Sequence, residues 1–419
     1  MIITRLPSFL QRFFSPMRPR VTKPQFSHLW SLVLAIVINL RDAKLVHLSA
    51  LTPAGGHRTR RGAFLGRSDW DAPALVERAG FDLLRSMRPR AGEVIHLILD
   101  DNRIAKRGSK MAWVSKIWDH KQQRFVRGHI VLFAAILFRG VVLPWRVELW
   151  KPKGQTGGPR YRKLTHMAAA MVRAFVPPAD GMKVRVLFDA FYLCPIVTKA
   201  CQSRGFTFFS VAARGRCFTT DNRKRRKIAA LMPGLIRHKG RGVRMRRSRG
   251  RVATLRIAAI DGHLSRIGRV RMVVSKRPRG PWTKCIAIVT NETGLGARQV
   301  VEVYERRWLI EVLFKELAQD LGLGDYQMLQ KDGIVHHLHV CGGGLRPPSC
   351  LAHLLLTHQS IERLGAQARK TNEQVEMPPM SQRLAELRSR TARDHVLKLV
   401  KGPEHARLRK KLCDYLIAA

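Results

Sequence analysis

The chain has 419 residues, 45% of them hydrophobic, enough to bury a large core in two or three domains. Lys and Arg number 77 against 29 Asp and Glu, a formal net charge of +48. A fold cannot neutralise that charge internally, so composition calls for a polyanionic partner, nucleic acid before an anionic membrane surface.

The seven cysteines form no C-x-x-C pair and are odd in number. That argues against a zinc module or a secreted disulfide framework and for a reducing cytosol. The most apolar run, Leu29 to Leu40, is too short to span a bilayer. The stretch Met1 to Pro19 reads as neither signal peptide nor anchor.

Along the chain, residues 1–90 read as short helical pieces. Phe26 to Leu40 is one candidate, Leu51 to Arg67 reads as a loop, and Trp70 to Met87 is a helix with Asp71 as N-cap and Pro73 in its first turn. This basic head suits DNA binding or packing on the next domain. Val94 to Leu99 is a continuous apolar run, the mark of a strand buried on both faces, and it ends in Asp100-Asp101-Asn102. Ile130 to Phe138 and Val141 to Leu149 continue it as an antiparallel meander. A helix over 161–176 and a second buried strand, Val184 to Phe188, ending in Asp189, follow.

Between 222 and 279 the chain is rich in Gly and Arg with short alternating strands, and Ile286 to Thr290 is a cleaner strand. Tyr304 to Leu317 then reads as one amphipathic helix. Arg307, Glu311 and Lys315 recur every four residues and stack on one face. Beyond it, Gly322 and Gly324 read as helix-end residues, and Gly342 to Pro348 interrupts an apolar helix that resumes at Leu351. His336, His337 and His339 have no neighbouring carboxylate or Cys at metal-ligand spacing. The tail from Gln367 is polar and basic, with a helix over 381–399.

A carboxylate at the C-terminal end of a buried strand lies at a sheet edge, where sites form in open α/β sheets. Two such strands, followed by a helix bearing Glu311, are harder to read as turn residues alone, and they would supply three carboxylates if they converge. That donor type suits Mg²⁺ and two-metal phosphodiester chemistry, and the positive charge supplies the reason for a phosphodiester to be present.

These residues carry a resemblance. Asp101 after a buried strand, Lys106-Arg107-Gly108-Ser109-Lys110-Met111 beyond it, Asp189, and Tyr304-x-x-Arg307-x-x-x-Glu311 resemble the DDE transposases of bacterial insertion sequences, in the branch with a Tyr-Arg-Glu-Lys signature. The resemblance covers roughly residues 20 to 340. It implies an α/β, RNase H-like mixed sheet flanked by helices, with a helical N-terminal domain and a β-rich insertion. The corresponding segments are 1–90, 91–214, the insertion 215–285, 286–340 and a basic C-terminal region 341–419.

It further implies a metal triad of Asp101, Asp189 and Glu311, with Asp100 the alternative first ligand, and two Mg²⁺ or Mn²⁺ ions. It implies DNA contacts by Tyr304 and Arg307, joined by Lys315, Lys106, Arg107 and Lys110. Arg244, Arg246 and Arg247, in the basic stretch 241–251, add phosphate contacts. Trp282 is placed to stack on a displaced base. The implied activity cuts double-stranded transposon ends and joins the 3′-hydroxyl to target DNA, within a homodimer, in the bacterial cytoplasm. The signature's Lys is replaced by Ala318. The rival readings are a DNA-binding protein without catalysis and a nuclease without strand transfer.

Overall fold

In the computed structural model, residues 3–38, 45–119, 123–156, 159–221, 224–246, 252–319, 323, 326, 328–340, 350–364 and 377–399 are described. Arg247, Gly322, Gly324 and the Gly342–Pro348 interruption lie outside them.

The N-terminal region is helical: α1 (Gln11–Phe14), α2 (Lys23–Ile38), α3 (Leu45–Leu51), α4 (Arg58–Arg67) and α5 (Ala72–Ser86). The Asp71 carboxylate accepts from the Ala74 N–H at 2.9 Å and caps α5, with Pro73 in the first turn. The helix α4 corrects the loop expected over 51–67. Its Gly and Arg content hides a helical face, because Phe64 and Leu65 are buried and the Arg61 side chain is itself buried, donating to the Thr52 hydroxyl.

Among the described residues, twelve strands form one mixed sheet in the order β2-β3-β1-β5-β6-β12-β11-β10-β7-β8, with β4 beside β3 and β9 beside β10. Their ranges are β1 (Val94–Ala105), β2 (Ser115–Asp119), β3 (Arg124–Phe138), β4 (Val141–Leu149), β5 (Lys183–Phe188) and β6 (Thr207–Val211). The second half comprises β7 (Cys217–Thr220), β8 (Arg225–Lys227), β9 (Arg241–Arg246), β10 (Val252–Leu264), β11 (Gly268–Lys276) and β12 (Ile286–Thr290). The meander β1-β3-β4 is antiparallel as expected, and β5 joins β1 in parallel. The edge strand β2 is an addition to the expected order. Strands β10 and β11, from the stretch read as an insertion, continue the same sheet through β12.

Helices α6 (Leu164–Ala174), α7 (Pro195–Ser203) and α8 (Ile228–Lys239) accompany the sheet, followed by α9 (Ala297–Glu305), α10 (Trp308–Gln319), α11 (Lys331–Val340), α12 (Cys350–Leu364) and α13 (Met380–Leu399). The architecture is the expected RNase H-like α/β class, a mixed sheet flanked by helices. Among the described residues no helix is long and apolar enough to cross a membrane.

Two local differences shape the site. The strand β1 runs to Ala105, so Asp100 and Asp101 lie within it and not at its end. The expected helix over 304–317 is two helices, turning at Arg306–Arg307 between α9 and α10. The last helix is fixed in place. Arg383 on α13, 5% exposed, pairs with Glu316 of α10 at 3.1 Å, and Arg388 donates to the Val37 carbonyl.

Candidate active site

Side chains alternate between the two faces of a strand. Along β1, His96, Ile98, Asp100 and Asn102 share one face, and Leu97, Leu99 and Asp101 share the other. The register identifies which face meets Glu311. Asp100 is directly opposite Phe133 on β3, and Phe133 packs edge-on against Phe314 of α10 at 4.9 Å. His96, on the Asp100 face, lies 3.4 Å from Arg306. The helices carrying Tyr304, Arg307 and Glu311 therefore cover the Asp100 face.

The contacts agree. Arg307 donates to Asp100 Oδ2 at 2.8 Å and to Glu311 Oε1 at 2.6 Å. Asp101, preferred from sequence as the first ligand, instead accepts from the buried Tyr192 hydroxyl at 2.9 Å and lies 3.7 Å from Arg103. The pair Asp100-Asp101 gives no clear sequence cue to parity, because Ile98 precedes it on one face and Leu97 and Leu99 on the other.

Asp189 immediately follows β5. The parallel pairing of β1 with β5 runs to Ile98 and Leu187, two residues short of Asp100 and Asp189. Each of these carboxylates lies within reach of a neighbour's charge, Asp189 acting on Asp100 and Asp101 on Asp189. Two N–H groups, of Phe191 at 2.9 Å and Tyr192 at 3.3 Å, donate to its Oδ1. The turn after β5 thus aims this carboxylate.

Burial pushes Asp100 up to about 7; Arg307 opposes the shift, and the like charges of Asp189 and Asp101 add to it. Asp189 is also raised, by burial first, against the two backbone donors. Burial raises Tyr304 as well, beside Arg307. The site is a concentration of negative charge in a desolvated place, held together by one guanidinium.

Among the described residues no three His, Cys, Asp or Glu side chains are gathered as a ready metal site. The donor set still fits a hard divalent cation: Asp100, Asp189 and Glu311 offer only carboxylate oxygens. Arg307 is the positive charge between two of them.

The remaining expected site residues divide. Lys315, Arg107 and Lys110 are exposed, Lys315 one turn beyond Glu311. Lys106 is half-buried and has partners within the fold. Its ammonium donates to the Tyr326 carbonyl at 2.9 Å and sits 3.1 Å from that ring's centroid, so it is engaged within the fold. Arg244 is exposed on β9, which also carries Arg246.

Trp282 is 41% exposed with Lys276 over its ring at 5.0 Å. His336 binds two carbonyl oxygens, of Leu65 and Trp70, and His339 binds the Val335 carbonyl, so the histidine cluster is structural. Tyr192 had no sequence signal beyond its place three residues after Asp189.

Comparison with known protein families adds a finding. Residues 150–341 match the family model described as transposase DDE domain. The match includes Asp189 and Glu311 and begins after β4, so the first carboxylate rests on the geometry above. Among curated proteins no sequence matches the chain.

Proposed function

From a chain that carries a transposase DDE domain, we propose an enzyme that binds the terminal inverted repeats of an insertion sequence, cleaves the DNA there and joins the freed 3′-hydroxyl ends to target DNA. The observation that supports the reading is Arg307 joining Asp100 to Glu311, with the Asp189 charge acting on Asp100. Asp100, Asp189 and Glu311 would hold divalent cations, two Mg²⁺ or Mn²⁺. When bound, they supply Lewis-acid stabilisation of the phosphodiester oxygens on both sides of an in-line displacement.

The chain's own groups do the rest. Asp189 is pre-aimed by the Phe191 and Tyr192 N–H groups, which fixes one ligand before any substrate arrives. Arg307, which pairs with both Asp100 and Glu311, would neutralise charge beside the phosphodiester. Tyr304, one turn before it, lines the same place. Lys315, Arg107, Lys110, Arg244, Arg246 and Arg247 would hold the DNA backbone, and Trp282 would stack on a displaced base.

The helical segment 1–90 would grip the DNA ends, segments 91–214 and 286–340 would form the catalytic core, 215–285 the basic insertion and 341–419 a basic tail. The working form is a homodimer on DNA in the bacterial cytoplasm.

The test is Mg²⁺-dependent cleavage and strand transfer on the cognate terminal repeats. Asp100→Asn, Asp189→Asn and Glu311→Gln should each abolish cutting, whereas Asp101→Asn should keep most of it. Loss with Asp101→Asn and retention with Asp100→Asn would reverse the first ligand; cutting by Glu311→Gln would sink the triad. A second reading, a transposase reduced to DNA binding, draws on Ala318, exposed on α10 where the signature has Lys. Salt-sensitive binding to the repeats without any cutting would favour it.

A further inference from the structure

The β2–β3 hairpin carries a surface that the carboxylates do not use. Pairing sets Lys116 opposite Arg127 and Trp118 opposite Phe125. Residues two apart on a strand share a face, so the four make one patch of two cations and two aromatic rings. Phe125 is 58% exposed. The Trp118 ring meets it edge-on at 5.0 Å, and the Lys116 ammonium lies 4.8 Å from its centroid.

Beside the patch opens a cavity of about 360 Å³, lined by Ser109, Ser115, Lys116, Phe125 and Arg127 with two valines, and by no carboxylate. A side chain at Gly128 would collide with the Ile104 carbonyl and with Ile117, so β1, β2 and β3 pack closely beside the patch.

Register carries the patch onto the same sheet face as Asp100. Phe125 and Phe133 are an even number of residues apart on β3, and Phe133 is opposite Asp100. The distance along β3 is roughly 26 Å at about 3.3 Å per residue. The patch is thus separate from the carboxylates but open to the same length of nucleic acid.

We propose that this patch binds an unpaired segment of DNA, with phosphates on Lys116 and Arg127 and one base stacked on Phe125. The inference rests on the reading that the chain handles DNA. The chemistry selects the ligand. Two cations with two hydroxyls and no carboxylate suit a phosphodiester. An exposed phenyl ring takes an aromatic face, which a base offers only when its neighbour in the stack is removed. The cation pair and the aromatic pair are two residues, or roughly 7 Å, apart, a span that one nucleotide bridges.

The test is binding by the full chain in EDTA, read by fluorescence anisotropy on a labelled single strand and on the matching duplex. The single strand also carries 2-aminopurine to report stacking. Phe125→Ala should weaken single-strand binding about ten-fold or more and restore 2-aminopurine fluorescence, with duplex binding unchanged. Phe125→Trp should preserve the wild-type affinity. Lys116→Ala with Arg127→Ala should lower the salt slope on the single strand by about 1.4.

Equal single-strand affinity for wild type and Phe125→Ala overturns the proposal. So does an equal loss on single strand and duplex. Because binding is read without metal, cleavage can fail while the patch stands, and the patch can fail while cleavage survives.

Discussion

Arg307 Nη1 lies 2.8 Å from Asp100 Oδ2, across 207 residues of chain. Both side chains are largely buried, at 16% and 15% exposure. A guanidinium is a planar fork, which lets its other terminal nitrogen reach Glu311 at 2.6 Å. Lys at this position would present one point charge and could not span both carboxylates in the same way.

Arg307→Ala should therefore leave Asp100 buried without its counter-charge, at a cost of about 3 kcal/mol in metal-free protein. A divalent cation should replace the missing charge. Thermal melting with and without Mn²⁺ should show a larger metal-induced rise in Tm for the variant than for wild type. Equal rises would mean that Arg307 does not stand where the cation binds.

The pair Glu316–Arg383, with His353 at 3.2 Å from the same carboxylate, ties α13 to α10. Burial pushes Glu316 up, but hydrogen bonding and charge from His353 and Arg383 outweigh it, and the net shift is downward. A depressed carboxyl stabilises the fold above its unfolded value and loses that contribution as pH falls through the folded one. Arg383→Ala should cost about 3 kcal/mol and expose the segment 380–399 to limited proteolysis. An unchanged cleavage pattern would count against this anchoring.

Buried histidines make the fold acid-labile at a higher pH than its carboxylates alone would. Burial lowers His129 to about 4, opposed by its hydrogen bond to the Ala112 carbonyl, and lowers His339 to about 4, opposed by the Val335 carbonyl. In the unfolded chain each ring takes its proton near pH 6.5, before the folded state does. Stability is then full above that value and falls between pH 6.5 and 4, by about 3 kcal/mol for each ring. Tm measured from pH 7.5 to 4.5 should drop steadily, and His339→Leu should flatten part of the slope.

His337 has no hydrogen-bond partner on either ring nitrogen among the described residues, although it is fully buried against Tyr326. An unsatisfied buried polar group costs about 1–3 kcal/mol. His337→Leu should raise the denaturant midpoint without changing its slope; a lower midpoint would show that the ring nitrogens are satisfied in solution.

Arg244 is exposed on β9, a strand that also carries Arg241 and Arg246. If it contacts a phosphate, Arg244→Ala should weaken binding to all duplex sequences alike and reduce the salt slope by about 1. Loss confined to one sequence would assign it to base reading.

The sequence by itself determined the charge that requires a polyanion, the two buried strands at Val94 and Val184, and the carboxylate order that ends in Glu311. Each is a local signal: composition, a largely apolar run, or helical spacing. It also carried the resemblance to DDE transposases, of which Asp189, Tyr304, Arg307 and Glu311 lie within the match over 150–341. Tertiary structure alone decided which of Asp100 and Asp101 faces Glu311. That is a question of strand parity, and β1 is buried on both faces, so only its register with β3 and the packing of Phe314 on Phe133 answer it. The same holds for the seat of Lys106 over the Tyr326 ring, a contact across 220 residues. It holds equally for the patch of Lys116, Trp118, Phe125 and Arg127, whose members become neighbours only when β2 pairs with β3.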